Sequence, residues 1–167
     1  NQDFKSVSLF KETMKLAKIG LYELDVPSNK IYWSDVTKQI VQVADDFVPT
    51  MESISPFFNE GYYKDLAKDA MQNALENGDT YDLDLEVLTA KGNVRYVRNV
   101  GYPQMVNGSC VKIVGFLQDI TERKLTKIEL TKKIQQLSLA EQLSQIGYWE
   151  WDILKDEIMW SDNLYRI

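Results

Sequence analysis

Apolar residues spaced three or four apart at Phe4, Val7, Phe10, Met14 and Ala17 predict a helix over about residues 4–18, stopped by Gly20. Leu21 to Val26 then alternates apolar and acidic positions, as a half-buried strand does. Pro27, Ser28 and Asn29 turn the chain, and Ile31 to Trp33 returns as a second strand of the same hairpin. Ser34 is a helix N-cap with Asp35 in the first turn, so a short helix follows to about Gln42. Residues 43–60 read as irregular with one or two helical turns, and a helix runs from Tyr62 to Asn77 with Gly78 as its stop. Three strands come next, Thr80 to Thr89, Asn93 to Pro103 and Cys110 to Asp119, joined at Ala90-Lys91-Gly92 and at Val106-Asn107-Gly108-Ser109. Asn-Gly between two strands is a strong hairpin signal. Thr121 caps a long charged helix from Glu122 towards Gln145. Two strands, several helices, three strands and a closing helix make an α+β domain with a five-stranded antiparallel sheet.

The strand faces refine this picture. Tyr81, Leu83, Leu85 and Val87 alternate with Asp82, Asp84 and Glu86, so one face meets a core and the other water. In the last strand Val111, Ile113 and Leu117 point one way and Val114 and Phe116 the other, so both faces need cover, the outer one from a flanking helix. The long helix places Leu125, Ile128, Leu139, Leu143 and Ile146 on one side and Leu130, Ile134 and Leu137 nearly opposite. This is not a uniform heptad seam. Its ends are expected to dock on their own domains and its middle to meet the same helix of a second protomer.

An internal repeat lies at a shift of 127 residues: residues 16–40 match residues 143–167 without a gap, identical at 10 of 25 positions. The identities include Ile19/Ile146, Gly20/Gly147, Glu23/Glu150, Asp25/Asp152, Trp33/Trp160 and Ser34/Ser161. Solenoid repeats are roughly 20 to 50 residues long, so this spacing signals tandem whole domains. The expected division is an amphipathic helix over 1–18, a domain over 19–121, a connecting helix over 122–145 and the start of a second copy over 146–167. A start bearing Trp149, Trp151 and Trp160 cannot bury those rings alone and is expected to pack on another surface, as in a dimer.

Composition removes much chemistry. The chain has no His and one Cys, which rules out a Ser-His-Asp triad, an internal disulfide and a Cys/His zinc cluster. With 25 acidic against 19 basic residues it lacks the cationic excess of a nucleic-acid track. No apolar run is long enough to span a bilayer and no signal-peptide core is visible, so a cytoplasmic location without direct membrane insertion is expected.

The stretch Gly115-Phe116-Leu117-Gln118-Asp119-Ile120-Thr121-Glu122-Arg123-Lys124 resembles the closing motif of PAS domains, small modules common in bacterial signalling proteins. Ile19-Gly20-Leu21-Tyr22-Glu23-Leu24-Asp25, Trp33-Ser34-Asp35 and Lys91-Gly92-Asn93-Val94-Arg95-Tyr96 support the likeness, and Ile146-Gly147-Tyr148-Trp149-Glu150-Trp151-Asp152 repeats the opening. The resemblance implies a sheet cradling a pocket and a sensory or relay role upstream of a histidine kinase or, less often, a cyclic-dinucleotide enzyme. With no His the fragment holds no phosphoacceptor, and the output domain is expected beyond Ile167. A ligand-free dimerisation spacer is the alternative, and no reaction is expected of the fragment itself.

Pocket candidates are the aromatics Tyr22, Trp33, Tyr81 and Tyr96 with Leu24, Leu83, Ile113 and Leu117. Arg95 and Arg98 have opposite parity on one strand, so at most one points inward. Arg98 is the candidate that would draw an organic acid. Glu23 and Asp25 share one strand face without a cleft, a structural arrangement. Members that sense light through flavin use a helical Cys, but Cys110 stands at a strand start, and haem held by His is excluded. No cofactor, or a small metabolite, is the expectation. The resemblance makes the strand-to-helix junction the transmission point, with Asp119 and Thr121 as coupling residues, and a homodimer through the flanking helices as the assembly.

Overall fold

The structure, a computed structural model, describes residues 2–58, 61–144, 147–161 and 164–165. The Phe4 side chain, Gln145 at the helix end and the repeat positions Ile146 and Ile167 lie outside the described residues. Two compact units divide the chain, residues 1–122 and 123–167.

In the first unit α1 (Gln2–Leu16) leads into β1 (Ile19–Asp25) and β2 (Lys30–Trp33), then α2 (Asp35–Val41), α3 (Met51–Ile54) with a 3-10 turn at Ser55–Phe57, and α4 (Tyr62–Asn77). The strands β3 (Tyr81–Leu88), β4 (Val94–Val106) and β5 (Ser109–Asp119) complete the sheet, and α5 (Thr121–Ser144) starts directly after it. Local chemistry explains most boundaries. Ser34 caps α2 by accepting from the Thr37 N–H, Thr50 and Ser53 form a reciprocal capping box on α3, and Gly78 ends α4 at φ 75°. Asn107 and Gly108 both take positive φ in the tight turn between β4 and β5.

Three expectations need correction. Gly20 does not stop α1; Lys18 turns the chain at φ 53°, and Gly20 already lies in β1. Its missing side chain serves packing, since a Cβ there would sit 2.3 Å from Thr37 Oγ1 and 2.4 Å from the Thr37 backbone nitrogen. β4 runs through Pro103 to Val106; β3 pairs with it only as far as Gly101, so Pro103 occupies an edge position that tolerates a missing N–H. Thr121 is the first residue of α5 rather than its cap, and the Asp119 carboxylate accepts the Thr121 N–H at 2.9 Å.

The antiparallel sheet has the order β2-β1-β5-β4-β3. Register fixes its inner face rung by rung. Trp33, Tyr22, Gly115, Gly101 and Tyr81 form one rung, flanked on one side by Ile31, Leu24, Ile113 and Pro103 and on the other by Gly20, Leu117, Asn99 and Leu83. Two core clusters lie over this face. One is built on Leu24, Ala74, Tyr81, Cys110 and Ile113, the other on Ile40, Leu85, Val87 and Val97. On the outer face Glu23 pairs with Lys112 at 2.8 Å, while Val114 and Phe116 are half-buried. Most of the predicted α1 stripe is exposed, and only Met14 is partly covered.

In the second unit Leu125, Ile128, Leu130, Ile134, Leu137, Leu139 and Leu143 of α5 are all half exposed or more, at the ends as well as in the middle. The hairpin of β6 (Trp149–Asp152) and β7 (Glu157–Trp160) repeats the strand register of the opening of the first unit. Trp149 faces Trp160 as Tyr22 faces Trp33. The Tyr148 N–H donates to Ser161 Oγ as the Leu21 N–H does to Ser34 Oγ, and a Cβ on Gly147 would strike Leu164, the counterpart of Thr37. The three Trp rings remain half exposed or more within the chain.

Candidate ligand site and coupling junction

Two adjacent glycines on the central strands hollow the sheet, and tyrosine rings fill the hollow. A Cβ on Gly101 would lie 2.2 Å from Tyr81 Cζ, and one on Gly115 would lie 2.1 Å from the Val100 carbonyl oxygen and 2.5 Å from Tyr22 Cζ. The rings bring their hydroxyls together at 2.8 Å, and Tyr22 donates to the Val100 carbonyl at 2.9 Å. A phenol has one proton, so Tyr81 must be the donor to Tyr22. Burial raises both phenols. The contact with Tyr81 raises Tyr22 further.

Leu24, Leu83, Ile113 and Leu117 join these two tyrosines on the inner face, and Trp33 packs at its edge against Phe47 and Phe57, with ring centroids 5.7 and 6.0 Å away. Tyr96 and Arg98 do not join them. Both have outer-face parity: Tyr96 sits opposite Glu86, where desolvation and then the Glu86 charge raise its phenol, and Arg98 holds Asp82 through two N–H···O bonds of 2.7 and 2.5 Å. That pairing lowers the Asp82 carboxyl and leaves Arg98 no call on an organic acid in the interior. Arg95 is the arginine of inner parity, and it too is spent on a carboxylate, that of Asp119. Cys110 is buried on β5, its S–H directed to the Lys112 carbonyl. Among the described residues no group of three or more His, Cys, Asp or Glu is gathered to hold a metal ion.

Sequence reasoning passed over Asn99. It occupies an inner rung between Leu83 and Leu117, and its Oδ1 is buried without a hydrogen-bond partner. The available signal was a polar residue at inward parity, two positions from Val97.

The second constellation is the junction between β5 and α5. Asp119 accepts from Arg95 Nη1 at 2.9 Å through one oxygen and from the Thr121 N–H through the other. Thr121 Oγ1 in turn accepts from the Tyr96 N–H at 3.0 Å, and the Ile120 N–H donates to the Tyr96 carbonyl. The Asp119 N–H donates to the Lys18 carbonyl at 3.0 Å, and Lys18 Nζ pairs with Glu122 at 3.5 Å. The exit of α1, the start of β4, the end of β5 and the first turn of α5 thus meet at one residue, Asp119, the first through its backbone N–H and the others through its carboxylate and the chain itself.

Comparison with known proteins agrees with this architecture. The chain resembles a sensory box histidine kinase/response regulator from Burkholderia thailandensis, at 26% identity and TM-score 0.62 over 77% of this chain and 97% of that one. The N-terminal domain of a diguanylate cyclase with PAS/PAC sensor from Marinobacter aquaeolei gives 13% identity and TM-score 0.57 over 64% and 98%. A blue-light activated histidine kinase from Erythrobacter litoralis gives 15% and 0.52 over 74% and 42%. Among curated proteins none matches the sequence. The family described as the PAS fold matches residues 30–117, more than half of the chain. With its five-stranded antiparallel sheet, interior helices and Asp-Ile-Thr junction, the chain belongs to the PAS-fold family.

Proposed function

We propose that this chain is a sensory or relay module of a signal-transduction protein, feeding a histidine kinase or another output domain through α5. The junction at Asp119 carries the reading, because its carboxylate ties the first turn of α5 to Arg95 of β4, while its backbone N–H holds the exit of α1 to β5. A shift in the sheet that moves Arg95 or β5 must also move the first turn of α5. Such a relay needs two arrangements of α5 close in energy, biased by a ligand or partner. The division stays helix 1–18, PAS domain 19–121, connecting helix 122–145 and second PAS start 146–167. The module works as a homodimer, for which the exposed apolar residues of α1 and α5 are the natural contact. It catalyses no reaction, resides in the cytoplasm and takes either no cofactor or a small metabolite. The helices among the described residues include none long and apolar enough to cross a membrane.

One observation favours a second reading, a ligand-free spacer: the Tyr22 and Tyr81 rings occupy the hollow left by Gly101 and Gly115. Spin labels separate the two. With Cys110→Ser and Gln136→Cys as background, Asp119→Ala is expected to change the distance distribution between the α5 helices of a dimer while the far-UV circular dichroism stays native. An unaltered distribution refutes the coupling role.

A further inference from the structure

Six exposed apolar residues of α5 fall on two opposite faces of the helix, and each face has the spacing of a coiled-coil seam. Leu125, Ile128, Lys132, Gln135 and Leu139 follow one another at intervals of three, four, three and four residues, as successive a and d positions do. Leu130, Ile134 and Leu137 follow at four and three, as d, a and d. Ile128 and Leu130 are two residues apart, about 200° around a helix of 3.6 residues per turn, so a pair of helices covers one seam and leaves the other bare.

The two seams differ in make. The middle one, Leu130–Ile134–Leu137, puts leucine at d and a β-branched residue at a, the distribution that favours a parallel pair. The end seam is apolar at Leu125, Ile128 and Leu139 but carries Lys132 at a and Gln135 at d, and polar residues at such positions cost stability. Charge complementarity offsets part of that cost. In a parallel pair meeting at the end seam, Lys124 is at g and Glu129 at the following e, so each helix offers a cation to the partner's anion. Within one chain Glu129 pairs with Lys133 at 2.9 Å, an i,i+4 contact between two exposed side chains that is weak enough to be exchanged. The middle seam thus has contiguous apolar layers without flanking charge pairs, and the end seam has as many apolar layers with charge pairs and a polar centre.

We infer that α5 carries two alternative contact faces for the α5 of a second copy, the middle seam and the end seam, used one at a time in parallel register, with the middle seam the more populated. This deepens the relay reading and rests on it, since it gives named residues to the two arrangements of α5 that a relay requires. The choice between them is a half-turn of the helix, and the Asp119 contact to the Thr121 N–H and the Lys18–Glu122 pair hold the first turn from which that half-turn starts.

Disulfide formation between two copies reads the seams separately. With Cys110→Ser as background, Leu137→Cys places a thiol at a d position of the middle seam and Gln135→Cys places one at a d position of the end seam. Both are expected to cross-link, Leu137→Cys in higher yield, in a particle that sedimentation equilibrium shows to be a dimer. Adding Lys132→Leu replaces a polar layer of the end seam by an apolar one and is expected to raise the Gln135→Cys yield relative to Leu137→Cys by about tenfold or more, the effect of burying one leucine. Far-UV circular dichroism is expected to stay native, because residues 132, 135 and 137 are all exposed. A yield ratio indifferent to Lys132→Leu, cross-linking at neither position or at only one in both backgrounds, or a tetramer with both seams filled at once would each overturn the inference. The relay reading fails separately: the Asp119→Ala distance change reports whether α5 follows the junction, whereas the cross-link ratio reports which faces it presents.

Discussion

The hydroxyl pair inside the sheet makes an asymmetric prediction. Tyr22 donates to Val100 and accepts from Tyr81, so the two phenols are not equivalent. Tyr81→Phe removes a donor but leaves the Tyr22–Val100 bond intact, a loss of about 1 kcal/mol, the ordinary net worth of a hydrogen bond. Tyr22→Phe strands the buried Tyr81 O–H and deprives Val100 of its donor, so its cost is about 2–3 kcal/mol. In the double variant no stranded O–H remains, and the cycle should return a coupling of about 1 kcal/mol. For a unit of this size each kcal/mol moves Tm by roughly 3–6 °C. Urea unfolding followed by far-UV circular dichroism reads these differences. A pH series adds a second test, because both phenols are raised above their ordinary value of 10.0 in the folded state. The sign follows from linkage: the stabilisation is complete below pH 10, and above it the unfolded chain releases protons that the native state keeps. Native stability should then fall by up to about 2.7 kcal/mol per pH unit from these two groups, a fall the double Phe variant lacks. Equal losses in the two single variants, or a larger loss for Tyr81→Phe, would refute the assigned direction of donation.

Two further outcomes are expected. Gly115→Ala drives a methyl against the Val100 carbonyl and the Tyr22 ring, and should cost about 3 kcal/mol or more by urea unfolding; Gly92→Ala, strained by its positive φ but with nothing within 4 Å, should cost only about 1 kcal/mol. Replacing Leu130, Ile134 and Leu137 together by Glu should shift sedimentation equilibrium towards monomer without changing the sheet signal, and an unchanged association constant would count against α5 as the dimer contact.

Features decided within a few residues were legible in the sequence. The Ser34 cap, the Gly78 stop and the Asn107-Gly108 turn each depend on side chains or φ angles of adjacent positions, and each lies where the pattern put it. The misreadings share a cause: they depend on what another strand or helix brings. Gly20 reads locally as a helix stop, and only the approach of Thr37 from α2 gives its role. Tyr96 reads as a core aromatic because bulky Tyr96, Val100 and Tyr102 outshine Asn99 and Gly101 on the same strand. Yet the small residues face inward, because the Tyr81 ring from β3 needs their space. Hydrophobic periodicity assumes that the inner face is the bulky one, and here a neighbouring strand supplies the bulk.

The repeat separates local from distant determinants within a single chain. The second hairpin reproduces the register, the serine contact and the tight glycine of the first, although it shares only part of its sequence. What it does not reproduce is burial. Leu24 is 6% exposed beneath Ile113 and Ala74, whereas its counterpart Trp151 is 50% exposed, because the two-stranded β6–β7 sheet has no third strand beside it among the described residues. A lone hairpin is marginal in water, so the opening motif encodes the shape of the hairpin, while its stability comes from β5 and α4. The strand that stabilises the hairpin also ends in Asp119. Hence the element that completes the core is also the one that runs covalently into α5, the continuity on which the proposed relay rests.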